Sequence, residues 1–555
     1  MKTSTRKLLL EVALVLLLGI PAVWALVPPG FFFTHDVIHV ARIFAMDKIL
    51  LTDLQMPPRW VDVFRYGEPT FSFYAPLPYI FGAFIHRIGL TFLDTTKLLF
   101  GLGILLSGVS MYFFAKDFFG KKGGYIAAVL YMYAPYHAVD VYVRGALSES
   151  WALVFFPLIF WTSYNCFTKK SYLWFLGTVF SLTGLFLTHN IMTLLFTPFL
   201  LSFWFFLFFQ SRAKFTLIKK AVGSFVLSFL VSSFFLLPAF IEKSFVQNAL
   251  LTGQYFDFRG HFVAIGQFFR STWGYGGSVW GPEDGFSLQL GIVHIVLGGL
   301  SVLVALLSFR KQKKLFFLLS VFAAFFIVSL FMQHNKSTPI WLQIELLSFV
   351  QFPWRFLGLS IFFLSFLAGS IVHIPLPRKV WLGVFFLILT ATIFINTRYF
   401  HPERREAVSD ADYVSSRVLS QEKNLPKDYL PIWVEQIPGE RIEEPFSRDG
   451  TKITSTLDES TSTRYVYTVE ATGSADVVFP VTYFPGWEAS IDTKTVPLKP
   501  SEGYGLIELT LPEGISRVDL ALTETPVRMV GDIGSIIGLT LCALLRKKYE
   551  KYFAS

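Results

Sequence analysis

The chain has 555 residues, of which 53% are hydrophobic and 18% aromatic, with only 16% charged and a mean hydropathy of +0.53. Soluble domains carry roughly 25% charged residues, so an ordinary water-soluble protein is excluded. The net charge of +9 does not point to nucleic acid, because Lys and Arg sit in short clusters between apolar runs, as topology determinants do.

In chain order, about twelve apolar stretches approach the ~20 residues that a transmembrane helix needs. They lie near Leu8–Val27, Thr95–Ala115, Gly123–Val139, Ala152–Phe167, Tyr172–Thr188 and Ile191–Phe209. The series continues with Ala221–Ile241, Leu288–Phe309, Leu315–Met332, Phe356–Ile374, Val380–Asn396 and Val527–Leu545. Every second connection is short and basic. Lys2, Arg6 and Lys7 come first, then Lys116, Lys121 and Lys122, then Lys169 and Lys170. Arg212, Lys214, Lys219 and Lys220 follow, then Arg310, Lys311, Lys313 and Lys314, then Arg378 and Lys379, then Arg546, Lys547, Lys548 and Lys551. This positive-inside pattern predicts a multi-pass protein of the cytoplasmic membrane with both termini cytoplasmic. A cleaved signal peptide is the alternative for the first stretch, but no small-residue cleavage site follows it, which favours a retained anchor.

The other connections are longer and less basic, and they collect the polar residues. The first, residues 28–94, holds Thr34-His35-Asp36, Pro57-Pro58-Arg59-Trp60 and Phe73-Tyr74-Ala75-Pro76-Leu77-Pro78. The next ones hold Asp140 to Glu149, then Thr188-His189-Asn190, then Trp273 to Asp284, then Gln351-Phe352-Pro353-Trp354-Arg355. From about 398 to 525 hydropathy falls, and segments such as Tyr465–Val469 and Arg517–Leu522 alternate with period two. Asp492-Thr493-Lys494 reads as a hairpin tip, and the segment as an extracytoplasmic, all-β sandwich-like domain. Its first part, 403–431, reads as helical or irregular. Cys166 and Cys542 both fall at cytoplasmic ends, so this domain has no disulfide. The predicted division is a transmembrane domain 1–397, the β domain 398–525, and a final helix with a basic tail, 526–555.

An ion-coupled transporter needs ionisable groups near the bilayer midplane, and the predicted spans are nearly free of charge there; Glu11 and His294 are the exceptions. Polar residues crowd the outer ends of many spans instead, as they would in an enzyme acting on a lipid substrate at the outer interface. Asp36 reads either as a solvated loop carboxylate or as a general base that deprotonates an attacking hydroxyl. His35 and His39, one helical turn apart, are a weak metal signal without a third ligand. Arg59, Arg144 and Arg355 could grip phosphate in a bidentate fork or simply snorkel to the interface. Glu149, His189 and Asn190 lie where spans meet the outer face; Glu149 could also serve only to pair with Arg144.

The run from Tyr133 to Glu149, with Thr34-His35-Asp36, the Tyr74–Tyr79 aromatic-proline segment, His189-Asn190 and Phe352–Phe356, resembles the bacterial membrane proteins called pyruvoyl-tetrahydropterin synthase-related. That name is not read as chemistry, since the zinc-binding histidine triad of a pterin synthase is not found. The architecture is similar to the GT-C glycosyltransferases, and Tyr483-Phe484-Pro485-Gly486-Trp487-Glu488-Ala489 resembles a GT-C-like family linked to lipoteichoic acid glycosylation. The resemblance implies an α-helical polytopic GT-C-like fold of about 12 transmembrane helices with a C-terminal extracytoplasmic β-rich domain. It implies transfer of a sugar from a polyprenyl-phosphate donor to an extracytoplasmic acceptor, a cell-envelope glycan or lipid. By position Asp36 matches the family's first-loop acid, with His35 and Glu149 as further catalytic candidates. Arg59, Arg144, His189, Asn190 and Arg355 are the expected donor- or phosphate-binding residues. Glu149, Glu283 and Asp284 compete for the role of a second acid; no metal site is assigned and a divalent metal stays open. The partners expected are the lipid-linked donor, the acceptor and membrane lipids, with no nucleic acid. The alternatives are a non-catalytic flippase or transporter of lipid-linked glycan, and an envelope assembly factor.

Overall fold

The computed structural model describes residues 3–415, 418–419, 427 and 429–546. The basic residues Lys2, Lys547, Lys548 and Lys551, and part of the segment 403–431, lie outside the described residues.

Among the described residues, eight helices are long and apolar enough to cross a membrane. A ninth is reached if Lys214–Val231 and Ser233–Phe245, bent by 76° at their break, form one span. One of the eight, Phe92–Met132, has 41 residues, and its helical dihedrals are interrupted at Gly120 (φ +70°). There the chain doubles back. Tyr112 and Tyr125 pack with ring centroids 4.6 Å apart, and a Cβ on Gly108 would collide with Met132. The two apolar stretches expected at 95–115 and 123–139 therefore form an antiparallel pair, brought close by small residues at the contact. Lys116 and Lys121 both pair with Glu11, tying the reversal to the first helix. Two further expected stretches fall outside the eight. The helix Tyr172–Phe186 has only 15 residues, and Leu147–Thr168 carries polar residues at both ends.

Chain reversal is abrupt again after Met132. Ala134 is extended, as a residue before proline must be, and a short helix Pro135–Ala138 runs into a π-helical turn, Val139–Arg144. Gly145 ends that turn in the left-handed conformation (φ +66°). Helix Leu147–Thr168 then begins, packed against the Phe92–Met132 pair.

The strands are β1 (Phe31–Phe32), β2 (Arg405–Glu406), β3 (Phe446–Ser447), β4 (Ile453–Thr461), β5 (Arg464–Ala471) and β6 (Ala475–Thr482). They continue with β7 (Trp487–Ile491), β8 (Lys494–Val496), β9 (Lys499–Pro500), β10 (Leu506–Leu511) and β11 (Gly514–Leu522). β3-β6-β10-β9 make one antiparallel sheet and β4-β5-β11-β7-β8 a second, while β1 and β2 pair separately. Alternation puts Tyr467, Val469, Val518 and Leu520 of the larger sheet in one apolar core with Val477, Phe479, Ile507 and Leu509 of the smaller. The expected hairpin tip lies between β7 and β8, with Asp492 and Thr493 at positive φ.

That core is completed from elsewhere. Trp60 and Phe73, from the loop 28–94, are buried in it. The Trp60 ring meets Trp487 edge-on at 5.6 Å and Phe484 at 6.2 Å. Arg59 beside it is buried in ion pairs with Glu524 (2.7 Å) and Asp532 (2.5 Å), at and within the final helix Pro526–Leu544. The loop is thus clamped between the β sheets and the last span.

Candidate functional site

The segment after the first helix is pinned to the π-helical turn by its backbone. His35 N donates to Val143 O (3.0 Å) and Asp36 N to Arg144 O (2.9 Å). The approach depends on Gly145, where a Cβ would collide with Thr34 Oγ1 and lie 2.7 Å from the Asp36 carbonyl oxygen. Gly145→Ala is therefore expected to strain the left-handed turn and push Asp36 out of place. The check is paired. Thermal stability should fall by about 1–2 kcal/mol or more, and any activity that depends on Asp36 should fall further than stability does. Wild-type behaviour in both would show that the turn does not position Asp36.

Asp36 keeps a largely free carboxylate. Its side chain is 41% exposed, accepts from Ile38 N at 3.3 Å, and lies 3.4 Å from His39 Nε2. His39 is not an ion-pair partner in the ordinary sense. Burial lowers its imidazole below the usual histidine range. Its two bonds fit the neutral ring with hydrogen on Nε2, which donates to Gly145 O (2.6 Å) while Nδ1 accepts from Tyr79 OH (2.7 Å). His35 is exposed and turned to the Tyr275 carbonyl oxygen, 2.8 Å away.

Next to this segment lies a buried charge cluster. Arg144 bonds Asp140 with Nη1 and Glu149 with Nη2, the latter at 2.8 Å. Arg355 Nε approaches Glu149 at 3.4 Å, and its Nη1 donates to Val350 O (2.7 Å) and Gln351 Oε1 (3.0 Å). Tyr136 OH donates to Glu149 Oε1 at 2.5 Å. The Glu149 side chain is 1% exposed, so its charge is balanced by protein rather than by water. Trp354 lies under Arg144, its ring 4.5 Å from the guanidinium carbon.

His189 caps helix Asn190–Gln210, with Nδ1 accepting from Met192 N at 3.2 Å. Loss of water, with the Arg355 and Arg144 guanidiniums nearby, holds its imidazole down to about 3, against the opposing pull of Glu149. Asn190 Nδ2 donates to Phe73 O (3.2 Å), hooking the loop 28–94 to this helix. Arg144, Glu149, Arg355 and His189 therefore form one group, with Asp36 and His35 attached through backbone. Arg59 stands apart, taken up by Glu524 and Asp532.

The remaining acidic candidates are placed differently. Asp284 accepts from Ser278 Oγ (2.7 Å), Gln267 Nε2 (2.8 Å) and Val279 N (3.1 Å), and Ser278 in turn accepts from Trp354 Nε1 (3.2 Å). Glu283 is exposed. Among the described residues no three His, Cys, Asp or Glu side chains are grouped to hold a metal ion. Glu149 is committed to arginines and Asp284 to neutral donors.

Sequence reasoning did not single out Asp140, Tyr136 or Arg42. Asp140 had a signal, since it sits four residues before Arg144 in the same turn. Arg42 had none; what marks it is that no carboxylate pairs with it among the described residues.

The fold and this cluster define a polytopic helical membrane protein with a C-terminal β-sheet region. Residues 71–257 match the family model of the 6-pyruvoyl-tetrahydropterin synthase related domain, a membrane-protein family. A protein of Lactococcus lactis subsp. cremoris (strain MG1363), described as uncharacterized, is 29% identical over 185 residues, which cover 31% of this chain and 30% of that protein. Among solved structures, 74% of the chain superposes on 28% of the arabinofuranosyltransferase AftD from Mycobacteria, with TM-score 0.46 and 15% identity. The Archaeoglobus fulgidus oligosaccharyltransferase gives TM-score 0.40 and 12% identity, over 74% of this chain and 53% of that one.

Proposed function

We propose that the protein is a membrane glycosyltransferase, of the GT-C kind its sequence motifs resemble, that moves a sugar from a polyprenyl-phosphate donor to a hydroxyl of an envelope glycan or lipid. The alternation of basic connections supports placing the loop 28–94, the π-helical turn and the β sheets together on the extracytoplasmic side of the cytoplasmic membrane. The observation that carries the reading is the state of Asp36. It is a half-exposed carboxylate that no lysine or arginine bonds among the described residues, fixed by backbone to a buried charge cluster at the end of a membrane helix.

In the proposed step the acceptor oxygen attacks the anomeric carbon. The bond from that carbon to the phosphate oxygen breaks, the lipid phosphate leaves with the electron pair, and Asp36 takes the hydroxyl proton. Arg144 and Arg355, neutralised by Asp140 and Glu149, act as positioning residues that hold the turn to which Asp36 is attached. The test is release of polyprenyl phosphate from a radiolabelled polyprenyl-phosphate sugar by the purified chain in sealed proteoliposomes, with envelope extract as acceptor. Label is expected to move to the acceptor. If label instead crosses the bilayer still attached to lipid, the protein is a transporter of lipid-linked glycan.

A further inference from the structure

Buried arginines in this protein come with carboxylates. Arg59 has Glu524 and Asp532, Arg65 has Glu68, Arg355 has Glu149 and Arg528 has Glu242. Arg42 breaks the rule. It is 3% exposed, it has no ion pair among the described residues, and its Nε and Nη1 are buried without a hydrogen-bond partner. What holds it is the ring of Tyr74, 3.8 Å from the guanidinium carbon. Asp36, Tyr79 and Tyr429 are close enough to act on its charge. A buried cation with unmet donors is costly, so a fold that keeps one holds it for an anion that arrives from outside.

We propose that Arg42 is the residue that receives the phosphate ester of a lipid, beside Asp36. The assignment rests on the proposed transferase reading for the identity of the lipid, and on the structure for the anion. Arg42 lies on the helix His39–Asp47, one turn after His39, which is itself bonded to Gly145 and Tyr79. The same few residues thus fix both Asp36 and Arg42. A planar guanidinium presents paired N–H donors that match two oxygens of a phosphate.

The experiment uses the full chain in nanodiscs and follows its thermal midpoint and affinity with undecaprenyl phosphate, undecaprenol and inorganic phosphate. For the wild type, undecaprenyl phosphate should raise the midpoint while undecaprenol does not. Arg42→Met should weaken the lipid phosphate about ten- to a hundredfold, the range for lost hydrogen bonds to a charged partner. Its ligand-free midpoint should equal or exceed that of the wild type, because an unpaired buried charge has gone. Arg42→Lys, which keeps charge but not the fork, should fall between the two. The proposal is overturned if Arg42→Met binds as the wild type does, or if it lowers the ligand-free midpoint, which marks a structural arginine. A wild-type shift in Arg42→Lys overturns it as well, and decides the matter should Arg42→Met not accumulate. Equal binding of inorganic phosphate would assign a soluble ligand and overturn the lipid. A protein that binds the lipid through Arg42 yet transfers no sugar would sink the transferase reading and leave this site standing.

Discussion

Asp36→Asn should lower sugar transfer by about 10²–10⁴, the usual cost of losing a positioned general base. The substitution preserves shape, and Asn Oδ1 can still accept from Ile38 N, so only basicity goes. The nearest imidazole, His39, is neutral and satisfied by Gly145 and Tyr79, and Arg42 keeps its stacking on Tyr74. Expression and thermal midpoint should therefore stay at wild-type values, and affinity for undecaprenyl phosphate should not fall, while turnover collapses. Glu345→Gln, at an exposed position, is the control. Transfer at a near wild-type rate by Asp36→Asn would remove the base from the mechanism.

Glu149→Gln is the second large effect, and it should appear in stability before activity. Arg144 and Arg355 both reach Glu149, and the variant leaves Arg144 with Asp140 and Arg355 with only the Val350 carbonyl and Gln351. Removing one member of a buried charge network typically costs about 3–5 kcal/mol, because the remaining charge has no water to turn to. The loss should be visible as a lower midpoint in detergent without any ligand. The double variant Glu149→Gln with Arg355→Met removes one charge of each sign and should recover part of it. If the single variant melts like the wild type, the two arginines are not held by Glu149, and their assignment as positioning residues fails.

The sequence was most readable where the physics is periodic. Alternating basic connections and apolar runs announce membrane helices, and the period-two segments at 465–469 and 517–522 fall in β5 and β11. Pairing partners were legible only at short range. Arg144 lies four residues after Asp140 and five before Glu149, both within reach inside one turn and the start of one helix. Arg59 pairs with residues more than 460 positions away, and nothing local distinguishes it from a phosphate ligand. Arg42 was invisible for the opposite reason. A sequence lists every arginine as a donor, whereas only a fold shows which one has been left without an acceptor.

Trp60 changes what counts as a module in this chain. A boundary drawn near 398 separates membrane helices from β sheets on paper, yet the sheets close over an indole supplied by a loop more than 300 residues earlier. Deleting 398–525 would strip that indole and Phe73 of their apolar surroundings, and would leave Arg59 without the acid at 524. The segments 28–94 and 398–525 must therefore be transplanted together. A chimera that exchanges the β sheets alone brings a foreign socket to a resident key.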